Sequence, residues 1–359
     1  MKEIDGLKEQ VRLNCEISNA HFWGIYSICG LLMRLRSLYR FEHSMKPWER
    51  IDSAKLMEWI GGKEKLWQSL NGRKIEPLRI DGEVIDAFDV VSVEAHLPDS
   101  LCYGAGYATA MKPSFFLGEL GERYRKHGFT VYVVEREHVR DLLAAPAMLR
   151  EDRIYLRMQV FEEYLWDKVE ELRMGSAKPS LGEAFAYHGV SREKLLRGGE
   201  ELAKDIRRIA QEESYTLVAH EVGEALESEF PDSLWQRLVS ASHFMERLAR
   251  GIHDILADTH VRGMLSAIVR RRSIASLAFY VASLSGFRKE LFPEISEAYA
   301  EAKQGDWSSV ESAARHARER ALACVRALEE IIQRARGRDE AWLRSEVRRE
   351  LLQPLGINL

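Results

Sequence analysis

The chain has 359 residues, 46% apolar and 30% charged, with a formal net charge of −4. That length allows one large domain or two to three ordinary ones, and the composition is that of a soluble globular protein. No long tract of one sign is present, so a clustered basic surface for nucleic acid is not expected.

In chain order, the N-terminus MKEIDGLKEQ is polar and reads as carrying no signal peptide. Residues 4–43 predict one long helix, with apolar residues at helical spacing and no proline. Within it, residues 22–33 are apolar almost all round. That run is too short for a membrane span and predicts a buried core helix. Glu16 and His21 enter it, and Glu42 and His43 leave it. On an unbroken helix those pairs lie roughly 35 Å apart, at about 1.5 Å per residue, and cannot share a site. Pro47 ends the pattern. Residues 51–70 predict a second helix with Leu56, Trp59, Ile60 and Trp67 inward.

From Gly72 to Arg157, short β-like runs alternate with turn signals. Residues 75–80 and 83–85 flank Asp81-Gly82, a pair suited to a tight hairpin. Residues 115–126 predict a helix. Residues 129–134 (FTVYVV) predict a strand and residues 154–158 (IYLRM) its partner. Residues 173–179 (RMGSAKP) read as a linker, and Ser180 with Glu183 fits a capping box for a short helix ending near Gly189. Helices are then expected over 191–230, stopped by Pro231, over 234–272, and over 274–285 with Gly286 as a stop. Residues 294–303 and 308–335, joined at Gly305-Asp306, predict a helical hairpin. The expected fold is mainly α, a multi-helix bundle with a small α/β insertion. Its expected divisions are 1–71 helical, 72–172 α/β, 173–190 linker with a short helix, 191–336 helical bundle and 337–359 charged tail. The four cysteines, Cys15, Cys29, Cys102 and Cys324, are scattered and form no CxxC pair. They suggest reduced thiols in a cytoplasmic protein rather than a disulfide framework or a zinc ribbon.

Chemistry concentrates in residues 215–227 (YTLVAHEVGEALE), which hold one histidine and three carboxylates. At 100° per residue, Leu202, Ile206, Ile209 and Leu217 make a core stripe, and the same stripe continues as Glu213, His220, Glu224 and Glu227. His220 and Glu224 are four residues apart and meet on one face. A buried carboxylate is costly unless something positive lies beside it, and a divalent ion (Zn, Fe or Mn) is a sufficient reason. Glu221, at the edge of the stripe, fits a general base acting on a metal-activated water. From the next helix, His253 is the best placed further ligand, with Asp254 beside it. Glu246 and His260 stand seven residues to either side, about 10.5 Å away, so only one of the three can reach a given ion. Asp254 and Asp258 form an acidic pair that Arg250 and Arg262, each four residues away, can neutralise on the surface. Di-metal chemistry, with Glu213 or Glu227 bridging, is a variant of the same reading.

The plainer reading of these residues is a structural polar network. A second apolar face, Val218, Val222, Ala225 and Leu226, leaves the stripe solvated if it is the buried one. Alternatively, arginines from a neighbouring helix neutralise the stripe. Tyr103-Gly-Ala-Gly-Tyr107 is a glycine-bearing loop ahead of an expected helix, but without a βαβ unit it is neither a dinucleotide fingerprint nor a P-loop. Glu94 and His96 share a face only if their segment is a strand. Arg270, Arg271 and Arg272 read as a solvated helix end.

HEVGE resembles the HExxH signature of metalloproteases, with Glu224 in place of the second histidine. That substitution removes a ligand, so peptidase activity is not carried over. The segments CYGAGYATAMKPSFFLGEL, VAHEVGEALE and GIHDILADTH make the chain look like a member of an uncharacterised bacterial helical protein family. That resemblance implies no activity. Two functions are therefore expected in competition. One is a metal-dependent, hydrolytic enzyme acting on a small molecule, without nucleic acid or membrane and with homo-oligomerisation left open. The other is a non-catalytic helical scaffold or protein-interaction module.

Overall fold

The computed structural model describes residues 2–335 and 338–357. It divides into two units, Met1–Asp167 with Gly198–Gln211, and Lys168–Arg197 with Glu212–Leu359. The boundary expected at residues 336–337 lies outside the described residues.

The first unit begins with helices α1 (Lys2–Phe22), α2 (Ile28–Glu42) and α3 (Ser53–Leu70). The single helix expected over residues 4–43 is broken by a 3-10 turn at Trp23–Ile25, after which Ser27 starts α2 by accepting a hydrogen bond from Gly30 N. Ser27 is a far better N-cap than a helix-interior residue, which is why the break falls there. The apolar run across the break is not a core. Trp23 is 45% exposed and Ile28 80% exposed.

The break also overturns the expected separation of Glu16 from Glu42. With α2 turned back, the Lys63 ammonium of α3 donates to both, at 2.6 Å to Glu42 Oε1 and closer still to Glu16, and Trp67 Nε1 donates to Glu16 Oε2 at 2.6 Å.

A hairpin follows, β1 (Leu78–Ile80) and β2 (Glu83–Ile85), antiparallel about Asp81 and Gly82 as expected. The short helix α4 (Val90–Glu94) comes next. It is followed by β3 (Leu101–Tyr107), β4 (Pro113–Lys126), β5 (Phe129–Arg140), β6 (Ala147–Arg150) and β7 (Arg153–Arg157). These five strands form one sheet in the order β3-β4-β5-β7-β6. All neighbours are antiparallel except β5 and β7, which pair in parallel with Val131 opposite Ile154.

Residues 115–126, expected as a helix, are β4. Phe115, Phe116 and Leu117 are fully buried in succession, which a strand covered on both faces accommodates. Gly118 leaves no room for a side chain, since a Cβ there would lie 2.7 Å from Arg136 O on β5. The expected glycine loop at 103–107 is likewise strand β3, and a Cβ at Gly104 would lie 2.0 Å from the Phe116 ring. Those glycines serve strand packing rather than an anion. Glu94 ends α4 and pairs with Arg153 instead of sharing a strand face with His96. Leu7, Val11 and Cys15 of α1 join the sheet residues in one core, and Ile17 and Ala20 join α2 and α3 in another.

The elements that follow are helices, of which those over 158–173 and 200–226 begin in the first unit and end in the second. α5 (Met158–Arg173) leads to α6 (Pro179–Tyr187), α7 (Arg192–Arg197) and α8 (Glu200–Leu226). The Ser180–Glu183 capping box does not form. Proline fits the first turn, so α6 starts at Pro179 after Lys178, and Glu183 accepts hydrogen bonds from Tyr299 and Lys303. The helix expected over 191–230 is divided at Gly198 and Gly199, whose φ of 70° and 88° no helix interior adopts. α8 itself is continuous through the acidic stripe.

The helix expected over 234–272 is three, α9 (Asp232–Ala241), α10 (His243–Thr259) and α11 (Met264–Arg271). Ser242 is extended between the first two and caps α10 by accepting from Met245 N. Apolar spacing here predicts a core stripe of Leu234, Leu238, Ala241, Met245, Leu248, Ile252 and Ile255 or Leu256, and all are buried except Ala241, which is half-buried. α12 (Ile274–Ser283) follows. Gly286 opens α13 (Gly286–Leu291) rather than stopping a helix. α14 (Ile295–Ala302) and α15 (Ser308–Arg334) form the expected hairpin, and α16 (Glu340–Val347) lays Leu343 and Val347 into the same core. The fold is mainly α, with a five-stranded sheet that is a substantial part of the first unit. Among the described residues no helix is long and apolar enough to cross a membrane.

Lys63 anchors the α1, α2 and α3 corner. Lys63→Met is expected to leave Glu16 buried without a cation and to destabilise the protein by about 3–5 kcal/mol, read as a lower urea midpoint.

Candidate metal centre

His220, Glu221 and Glu224 lie on consecutive turns of α8 and each offers a donor atom, all within 4.8 Å of one another. What positions them is the close approach of α8 to the C-terminal end of α10. A Cβ at Gly223 would lie 2.2 Å from Ala257 O and 3.1 Å from Gly263 Cα. Only glycine permits that spacing, and it brings His220 to Asp258, one residue beyond Ala257. His220 Nδ1 donates to Asp258 Oδ1 at 2.7 Å. Arg288 of α13 donates through Nη2 to Asp258 Oδ2 at 2.7 Å, and its Nε lies 3.7 Å from Asp254 Oδ2. The buried Tyr280 of α12 lies against the same pair.

With Nδ1 engaged, the imidazole turns Nε2 toward Glu224 Oε2, 4.0 Å away. A carboxylate held on one imidazole nitrogen fixes the ring and raises its basicity, as second partners of metal-ligating histidines do. The site is graded in depth. The Asp258 side chain is fully buried, His220 is 20% exposed and Glu224 36% exposed, so the donors open to solvent at the Glu224 end.

The charges follow from this packing. Burial disfavours the charged imidazolium, but Asp258, with Asp254 and Glu221 behind it, outweighs that effect and pushes His220 up to about 10. Burial would raise Asp258, yet Arg288 and His220 hold it below the usual carboxylate range. Asp254 is raised, mainly by burial, with Arg288 opposing. Without an ion, His220 is therefore an imidazolium, and a cation binding at Nε2 must displace a proton.

The remaining expected residues are distributed as follows. Glu213 is bound by His188 Nε2 at 2.9 Å and Ser276 Oγ at 2.9 Å. Glu227 pairs with Arg318 at 2.8 Å. Both thus have partners other than His220. Val218 and Val222 of one face and Glu213 of the other are buried, while Ala225 and Leu226, like His220, Glu224 and Glu227, are half-buried, so each face of α8 is partly enclosed. His253 lies beside Glu224, with Nδ1 3.7 Å from Oε1. Asp254 turns to Arg288 instead.

The surface pairing expected for Asp254 and Asp258 does not occur. Arg250 pairs with Glu246, and Asp258 is buried between His220 and Arg288. Asp258, Arg288 and Gly223 are the residues that sequence reasoning missed. Of these only Gly223 left a signal, a glycine in a helix interior, which is unfavourable unless something packs against it.

Residues 6–157 match the model of the N-terminal domain of a family of unknown function, DUF6866, and residues 162–350 match the model of its C-terminal domain. No curated protein and no solved structure matches the chain.

Gly223→Ala is expected to force α8 from α10, costing about 1–3 kcal/mol and weakening the His220–Asp258 contact, seen as a lower melting temperature and a shifted His220 NMR signal. A second expectation concerns pH. His220 is raised in the folded protein above its ordinary value of 6.5, so its contribution to stability is full below 6.5 and is lost as pH rises through about 10. In metal-free protein its ring proton signals should titrate near that upper value, and in Asp258→Asn well below it.

Proposed function

Since the chain belongs to DUF6866, a family of unknown function, we propose from the site alone that it is a divalent-metal-dependent enzyme, hydrolytic on a small-molecule substrate. The observation that carries this reading is the His220–Asp258 hydrogen bond, which leaves Nε2 facing Glu224, with Glu221 in the same cluster. The imidazole and carboxylate donors of His220 and Glu224 suit zinc, iron or manganese. Held there, a divalent cation supplies Lewis acidity to a water or a substrate oxygen.

The chain's own groups do the rest. His220 and Glu224 hold the ion. Asp258 fixes the His220 ring, and Arg288 keeps Asp258 ionised. Glu221, 8% exposed, is the carboxylate that accepts the proton lost by an attacking water. Substrate enters at the Glu224 end, the most exposed of the donors.

The competing reading is a non-catalytic helical scaffold with a paired polar network. It is favoured by the independent satisfaction of Glu213 by His188 and of Glu227 by Arg318. Equilibrium dialysis of the apoprotein against zinc, manganese or ferrous iron, followed by elemental analysis, separates the two. Saturable binding that His220→Ala abolishes and Asp258→Asn weakens about 10–100-fold is expected. Absence of saturable binding, or binding indifferent to His220→Ala, would leave the scaffold reading in possession.

A further inference from the structure

Glu224 has two oxygens, and each faces a different histidine. Oε2 lies 4.0 Å from His220 Nε2, and Oε1 lies 3.7 Å from His253 Nδ1. Both separations are too long for a hydrogen bond. Both are near what a shared ion requires. Two donors about 2.1 Å from one ion at a tetrahedral angle lie roughly 3.4 Å apart. The carboxylate thus stands between two imidazole nitrogens, one facing each of its oxygens.

We infer that Glu224 bridges two divalent cations, one held with His220 and a second held with His253. This inference rests on the metal-dependent reading above and extends it. His253 is set for that role by its surroundings. Its ring stands edge-on to Phe230 at 5.7 Å and tilted against Trp235 at 5.6 Å, so its plane is fixed by packing. It reaches Glu224 from α10 while His220 reaches it along α8. Ions bridged by a carboxylate sit about 3.5–4 Å apart, a spacing that two histidines on opposite oxygens of one carboxylate accommodate.

The other carboxylates that could bridge are occupied. Glu213 accepts from His188 and Ser276, and Glu227 pairs with Arg318. Asp254 and Asp258 are turned to Arg288 and set the charge behind the first ion.

Manganese titration of the full chain tests this, read by equilibrium dialysis and by electron paramagnetic resonance. Two manganese ions per chain are expected at saturation, with the exchange-coupled spectrum of a close pair. His253→Gln should bind one ion and give an uncoupled spectrum. Glu224→Gln should weaken both. One ion per chain in the unsubstituted protein, unaffected by His253→Gln, would overturn the second site and leave the first standing. Two ions without coupling would place the second elsewhere and overturn the bridge. No bound manganese in the unsubstituted protein would overturn both readings. Should His253→Gln melt early, the count and the spectrum of the unsubstituted chain still decide.

Discussion

The second unit is organised around one buried carboxylate. Asp258 is fully enclosed, and an isolated charge there would be untenable. Two cations from separate helices make it stable, His220 at 2.7 Å and Arg288 at 2.7 Å. Each partner is needed for the other. Arg288 keeps Asp258 ionised, and Asp258 in turn keeps His220 basic and fixed in rotation. Removing Asp258 leaves His220 and Arg288 without their shared counter-ion, so the cost falls on both. The outward nitrogen of His220 and the two carboxylates beside it inherit their geometry from this anchor.

Backbone packing is the second constraint, and it is inseparable from the first. α8 meets the end of α10 at a distance that only Gly223 allows, with Ala257 O where a side chain would be. Val218 and Val222 of α8 and Ile255 and Leu256 of α10 are buried, and the glycine sets how close the two backbones come. The first unit shows the same logic in a sheet, where Gly104 and Gly118 admit Phe116 and the β5 backbone.

Features carried by local signals were legible in the sequence. Asp81-Gly82 specified its hairpin, residues 129–134 their strand, and the apolar spacing of α10 its buried face. The acidic continuation of the α8 stripe was legible too, because it needs only a period of 3.6. Features that depend on distant partners were not. Residues 118–126 (GELGERYRK) carry glutamates, arginines and a lysine that suit a helix, yet pairing with β5 makes them a strand. Asp258 looked like half of a surface pair because Arg250 and Arg262 stand one turn away on either side. Its true partners are 38 and 30 residues away along the chain. The turn at Trp23–Ile25 hid in an apolar run, and with it the meeting of Glu16 and Glu42 at Lys63.

The central claim is that His220 Nε2 is a metal ligand and not merely the free end of a charged network. X-ray absorption at the metal edge of the zinc- or manganese-loaded protein addresses it directly. The account predicts the multiple-scattering signature of coordinated imidazole together with oxygen neighbours, and its reduction in His220→Ala. A first shell of oxygen alone, unchanged by that substitution, would contradict it.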